Sequence, residues 1–250
     1  MAPSTPPDRG SSALLVELLV ADPPEAWIAA GFTVSDDTVR LGATRIGLTG
    51  TSEPGRRGIW GWRIAGLELS GMTLDGPGLD GLPTEGAPNP PDAAGHAGNA
   101  ERERAEADPI HPNGAIKLDH VVIATPDLER TIAAFGRVHL GVRRIRETTA
   151  NGSPMRQAFL RLGPTIVEVV SGDTGTGAPA SESPATWWGL AIDVADLDAT
   201  ADLLGDGLGA IKDAVQDGRR IATFRHKALG MSIAVAAMDD HADRVNRVAR

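Results

Sequence analysis

The chain has no cysteine. That absence excludes disulfides, thiolate metal ligands and cysteine nucleophiles, and it fits a reducing compartment. Positive charge is also in short supply, with 24 Lys and Arg against 33 Asp and Glu and a net charge of −9. Nucleic-acid binding needs clustered Lys and Arg to meet phosphates, so that class has no support. No apolar run approaches the roughly 20 residues that span a bilayer. The opening stretch MAPSTPPDRGSS lacks the charged and apolar regions of a secretory signal. The expectation is a soluble, cytoplasmic protein with neither nucleic acid nor membrane as partner. The glycines form no G-x-x-x-x-G-K-[ST] loop and no strand–G-x-G-x-x-G–helix arrangement, and no G-x-S-x-G elbow appears, which leaves nucleotide binding and serine acyl transfer without support.

What the chain does have is 250 residues, 41% of them hydrophobic, enough to bury a sizeable core. Texture divides it. Residues 1–12 are rich in Pro, Ser and Gly and are expected to be disordered. Residues 13–71 look folded. Residues 72–115 carry seven Gly and seven Pro and read as a linker. Residues 116–238 look folded again, and 239–250 read as a tail.

A β-α-β-β-β unit repeats along the folded parts. In the clearest copy, LDHVVIA is a strand, Thr125 a helix N-cap, and Pro126 the first helical residue. Leu128, Ile132 and Phe135 fall at helical spacing. Three strand-like stretches follow, VRRIRET, MRQAFLRLG and PTIVEVVSG. A second copy opens with TWWGLAIDV, caps its helix at Asp196, and ends in MSIAVAAM. Residues 13–71 hold a weaker copy, ALLVELLVA followed by a helix with Asp22 and Glu25 at capping-box spacing. The stretch GIWGWRIAGLELSG then resembles the opening strand of a fourth copy without its remainder.

The motifs LDHVVIATPDLE, TIVEVV, GLAIDVADLDA and GMSIAV, in this order, resemble the vicinal oxygen chelate superfamily, which includes glyoxalase I, extradiol dioxygenases and bleomycin-resistance proteins. The resemblance covers Ile116 to Met238 well and 13–71 weakly. It implies an α+β fold of tandem βαβββ modules, with a cupped mixed sheet and helices on its outer face. It also implies a site in the cup, where metal-binding members draw ligands from the first and fourth strands of each module. Transferred onto this chain, His120 and Glu168 match two such positions, while the other two fall on Gly189 and Ala234. Half of the set is therefore missing. Glu17 and His111 are the candidate substitutes, though neither sits at a family position.

Two readings follow. In the one adopted, His120 and Glu168 pair without a metal, as a general acid and base, in a cup that binds a small organic molecule. The alternatives are a metal-dependent lyase, isomerase or dioxygenase with Fe, Mn, Ni or Zn on His120 and Glu168, and a scaffold whose N-terminal half covers the cup. Whether the protein is an enzyme is left open. Strand parity adds Trp187 to the cup lining beside Gly189 and puts Trp188 under a helix. Gln157, Arg156 and Arg220 complete the expected ligand contacts, Arg219 being assigned to a turn. The exposed edge of a truncated module invites pairing, so a homodimer is an expected assembly.

Overall fold

The computed structural model describes residues 13–50, 56–89, 109–150, 152–172 and 182–240. The expected disordered start, the linker residues 90–108 and most of the tail lie outside these residues. Thirteen strands and three α-helices are described. The N-terminal half contributes β1 (Leu14–Val20), α1 (Pro24–Ala29), β2 (Thr38–Leu41), β3 (Thr44–Leu48), β4 (Ile59–Ala65) and β5 (Thr84–Ala87). Then come β6 (Ala115–Ala124), α2 (Leu128–Gly136), β7 (Arg144–Ala150), β8 (Ser153–Leu162) and β9 (Thr165–Gly172). The last module is β10 (Thr186–Val194), α3 (Leu197–Leu204), β11 (Lys212–Asp213), β12 (Arg219–Thr223) and β13 (Ala234–Asp240).

The C-terminal modules form one eight-stranded sheet, ordered β11-β12-β13-β10-β6-β9-β8-β7. Each opening strand runs parallel to its module's last strand, β6 to β9 and β10 to β13, and the two opening strands meet antiparallel. The sheet curls. Arg144 and Arg146 on one edge strand line the same hollow as Val215 and Gln216, which lie beyond the opposite edge. The fold class is therefore the expected one, paired βαβββ modules around a cup.

The N-terminal half repeats the plan in reduced form, as a five-stranded sheet ordered β2-β3-β1-β4-β5. Strand β4 meets β1 antiparallel, as β10 meets β6, and β5 lies parallel to β4, as β13 does to β10. The fourth copy thus keeps its first and last strands. Thr84–Ala87, inside the stretch that reads as linker, supplies that last strand. Asp239 likewise belongs to β13 and is buried, although the sequence assigns it to the tail.

Capping differs from expectation at two helices. Asp127, not Thr125, is the N-cap of α2, its carboxylate accepting from Arg130 N. Thr125 Oγ1 instead accepts from Asp127 N and receives the Thr131 hydroxyl. Helix α1 has no side-chain cap. The Asp22 carboxylate is turned to Trp27 Nε1, at 3.1 Å, and to Ser232 on the other half. Asp196 caps α3 as expected.

One continuous apolar core joins both halves. Phe32 stacks near Phe224, and Trp62 meets both Phe135 and Trp187 edge-on. These residues lie on the helix side of the large sheet, so the N-terminal half packs against the back of the cup rather than covering its opening. No helix among the described residues is long and apolar enough to cross a membrane.

Candidate functional site: a cup with a histidine relay

Alternation along β6 should turn Asp119 and His120 to opposite faces. The ladder between β6 and β10 prevents this. It pairs Leu118 with Ile192 and His120 with Ala191, skipping Asp119. The resulting β-bulge brings both polar side chains to the cup face, while Leu118 and Val121 stay in the core.

Asp119 Oδ2 lies 2.7 Å from His120 Nδ1. Arg219 donates to Asp119 Oδ1 at 3.0 Å and also to Asp193. Burial pushes the Asp119 carboxyl up, but the hydrogen bond with His120 and the charges of His120 and Arg219 outweigh it. The group is held at about 2, below its ordinary 3.8. Burial alone would lower Arg219, yet the carboxylates of Asp119 and Asp193 hold it above its usual value. With an ionised carboxylate at Nδ1, the ring carries a proton there and turns Nε2 toward the cup.

Glu168 on β9 stands 3.8 Å from that Nε2, within ion-pair range but longer than a hydrogen bond. Its nearer partner is Gln157 on β8, whose amide donates to Glu168 Oε1 and accepts from Arg146 Nε at 2.8 Å. A polar row therefore crosses the cup floor, from Arg219 through Asp119, His120, Glu168 and Gln157 to Arg146. The sequence places His120 and Glu168 in this row but misses Asp119, because strict alternation hides a residue that a bulge exposes.

The facing wall is apolar. Superposing the modules on their helix caps, Asp127 and Asp196, makes Gly189 the counterpart of His120. The ladders pair His120 with Ile166 and Gly189 with Ala234. Two residues further along, the counterpart of Glu168 is then Ala236, not the Ala234 expected from the sequence. Neither alanine can ligate. At Gly189 an added Cβ would run into the carbonyl of Ala234, so a side chain is barred there unless β13 moves.

The donors present do not make a site for a divalent cation. Asp119 occupies one edge of the imidazole and Glu168 lies toward the other, and no group of three His, Asp or Glu among the described residues could hold a metal. Two donors facing glycine and alanine do not fit a protein-held cation, which ordinarily has three or more protein ligands. The two substitutes are engaged elsewhere. Glu17 pairs with Arg63 and Arg45 on the small sheet. His111 accepts from Thr33 N and sits 2.7 Å from the Arg40 carbonyl, so both ring nitrogens are used.

Three expected contacts also lie elsewhere. The β6–β10 ladder skips Trp188 as it skips Asp119, pairing Trp187 with Ile123 and Gly189 with Val122. This second bulge reverses the parity. Trp187 enters the core against Trp62, whereas Trp188, 59% exposed, lines the cup. Arg156, of opposite parity to Gln157, reaches Glu129 on α2. Arg220 binds Asp239 and Asp198 on the helix side, and those carboxylates raise it above its usual value against the effect of burial. Of the two arginines that open β12, Arg219, read as a turn residue, is the one that joins the polar row.

Between the walls lies a hollow of about 410 Å³, floored by His120, Gln157 and Glu168 and walled by Val122, Met155, Trp188 and Ala236, among others. That volume suits a small organic molecule.

Comparisons with known proteins agree with this architecture. Residues 119–224 match the model of the Glyoxalase/Bleomycin resistance protein/Dioxygenase superfamily. None of the curated proteins matches the chain. Among solved structures, a variant of 4-hydroxymandelate synthase from Streptomyces coelicolor is similar, at 16% identity and a TM-score of 0.58, covering 96% of this chain and 99% of that one. A xylose isomerase-like TIM barrel/4-hydroxyphenylpyruvate dioxygenase fusion protein aligns at 13% identity and TM-score 0.54, over 94% of this chain and 52% of its own. An extradiol ring-cleaving dioxygenase from B. fuscum aligns at 11% and 0.50, over 90% and 70%. Identities this low bear on fold alone. The matched segment 119–224 is thus similar to the glyoxalase/bleomycin resistance protein/dioxygenase group, the vicinal oxygen chelate superfamily, and the paired βαβββ modules that contain it share that fold.

Proposed function

We propose that the protein binds a small organic molecule in the cup, and that His120 exchanges a proton with it without a protein-held metal. The observation that supports this most is the position of His120 Nε2. It is turned into an apolar hollow, while Asp119 orients the ring through Nδ1. A carboxylate in that place stabilises the imidazolium that forms when Nε2 takes a proton. Glu168, held by Gln157, stands beside Nε2 in the same hollow and exchanges a proton with it by way of the bound molecule. The opposing Ala234 and Ala236 keep that wall of the hollow free of bulky side chains.

Ligand-observed NMR on the full chain tests the binding claim. Ala236→Trp narrows the hollow from one wall without touching the polar row. Compounds that bind the wild type are expected to lose binding in this variant, and unchanged binding would contradict the assignment. For the chemistry, a bound compound should exchange an acidic C–H with deuterated solvent in the wild type and not in His120→Gln. Pairing between chains belongs to the same proposal. Strands β2 and β5 are the edges of the small sheet, and a dimer joined there would appear at twice the 26.0 kDa chain mass in light scattering.

A further inference from the structure

The cup does not end at Gln157 and Glu168. Side chains two residues along share a face of a strand and lie about 7 Å apart. Phe159 therefore follows Gln157 on β8, and Ile166 lies on the other side of Glu168 on β9. These two residues line a second hollow of about 390 Å³ at the mouth of the cup, where β7 and β8 approach Val215 and Gln216. Its lining carries Arg143, Arg144, Arg146 and Arg161 and no carboxylate. Arg146 connects the compartments, since it lines the mouth and donates to Gln157 on the floor of the inner hollow.

This clustering stands out in a chain of net charge −9. Most other arginines facing the sheets are matched to carboxylates, as Arg63, Arg219 and Arg220 are. Among the described residues, by contrast, Arg144, Arg146 and Arg161 make no ion pair; Arg146 bonds to an amide and Arg161 to the Gly163 carbonyl. Charged residues on an edge strand commonly serve to deter sheet-to-sheet pairing. That role explains Arg144 on β7 and Arg143 just before it, but not Arg161, which stands on an interior strand. It does not explain the enclosing side chains of Val215 and Gln216 either.

We propose that the cup takes an organic anion. Its apolar body lies beside Val122, Met155 and Val170, and its carboxylate or phosphate head sits in the arginine-lined mouth. The charges fix this orientation. Glu168 on the floor repels an anionic head from the inner hollow, and guanidinium groups bind carboxylate and phosphate oxygens in pairs at the mouth. Val215, 73% exposed at the rim, then covers the apolar part of the ligand next to its head. The inference rests on the cup being the ligand site and adds the class of ligand.

Calorimetric titration of the full chain with octanoate, octyl phosphate and 1-octanol tests it. At low salt the two anions are expected to bind about tenfold or more tighter than the alcohol, as charge-assisted hydrogen bonds require. Arg144→Gln with Arg161→Gln, neither residue being bonded to the polar row, should bring the anions down to the value for the alcohol. Equal binding of all three compounds by the wild type, or a preference retained in the double variant, overturns the anion class and leaves the cup as the ligand site. If none of the three binds, or if Ala236→Trp leaves all binding unchanged, the cup reading fails and takes this inference with it.

Discussion

His120 owes its orientation to one neighbour. Asp119 holds the ring by Nδ1 and is itself held by Arg219. The Asp119 carboxyl is depressed from 3.8 to about 2, so its ion pairs stabilise the fold above the unfolded value and are lost as pH falls through the folded one. Between those limits the protein should therefore lose stability, by about 2 kcal/mol from this group. Asp119→Asn should lack this step, which urea denaturation at a series of pH values would detect. An identical acid profile in the two proteins would contradict the assignment. Gly189 illustrates the opposite constraint. Restoring a ligand there by Gly189→His should not recreate a metal site, because the side chain meets the backbone of β13. Overpacking of this kind typically costs about 1–3 kcal/mol, a loss measurable as a lowered melting temperature with no gain in metal affinity.

At the scale of elements, most of the order was legible in the sequence. Apolar alternation, Asp196 as a cap, and the turns at ANGSP and Gly-Pro marked the modules. The motif around His120 and Glu168 located two members of the polar row. What alternation could not reveal were the bulges at Asp119 and Trp188. A bulge leaves no composition signal here, yet it reversed the faces assigned to Trp187 and Trp188 and hid the partner of His120. The shift from Ala234 to Ala236 has a similar origin, because register is a property of paired strands and not of either strand read alone. Arg219 and Arg220 trade places relative to expectation because DGRR reads as a turn, whereas Arg219 is the first residue of β12. The cap of α2 offers a simple check. Asp127→Ala should cost about 1 kcal/mol, measured by chemical denaturation, and an unchanged midpoint would argue against Asp127 as the cap.

The whole molecule is held by contacts that tie its halves across the shared core. Asp22, 1% exposed, receives both the backbone N–H and the hydroxyl of Ser232, whose oxygen also accepts from Gly58 N. His111 and Asn113 attach the strand entering the cup to Thr33 and Ala30. Little of this was visible beforehand, since Gly- and Pro-rich sequence gives no periodicity from which burial can be read. The halves should unfold together. Ser232→Ala takes one donor from buried Asp22 and the acceptor of the part-buried Gly58 N–H, and should cost about 1 kcal/mol, with far-UV and tryptophan signals still coincident. Separate transitions would contradict a common core. The central claim, that His120 works through Asp119 and Glu168 rather than through a protein-held metal, is tested most directly by elemental analysis of the full chain purified without a histidine tag. The account expects Fe, Mn, Ni and Zn well below one per chain and equal in the wild type and His120→Ala; a stoichiometric metal that disappears with His120 would contradict it.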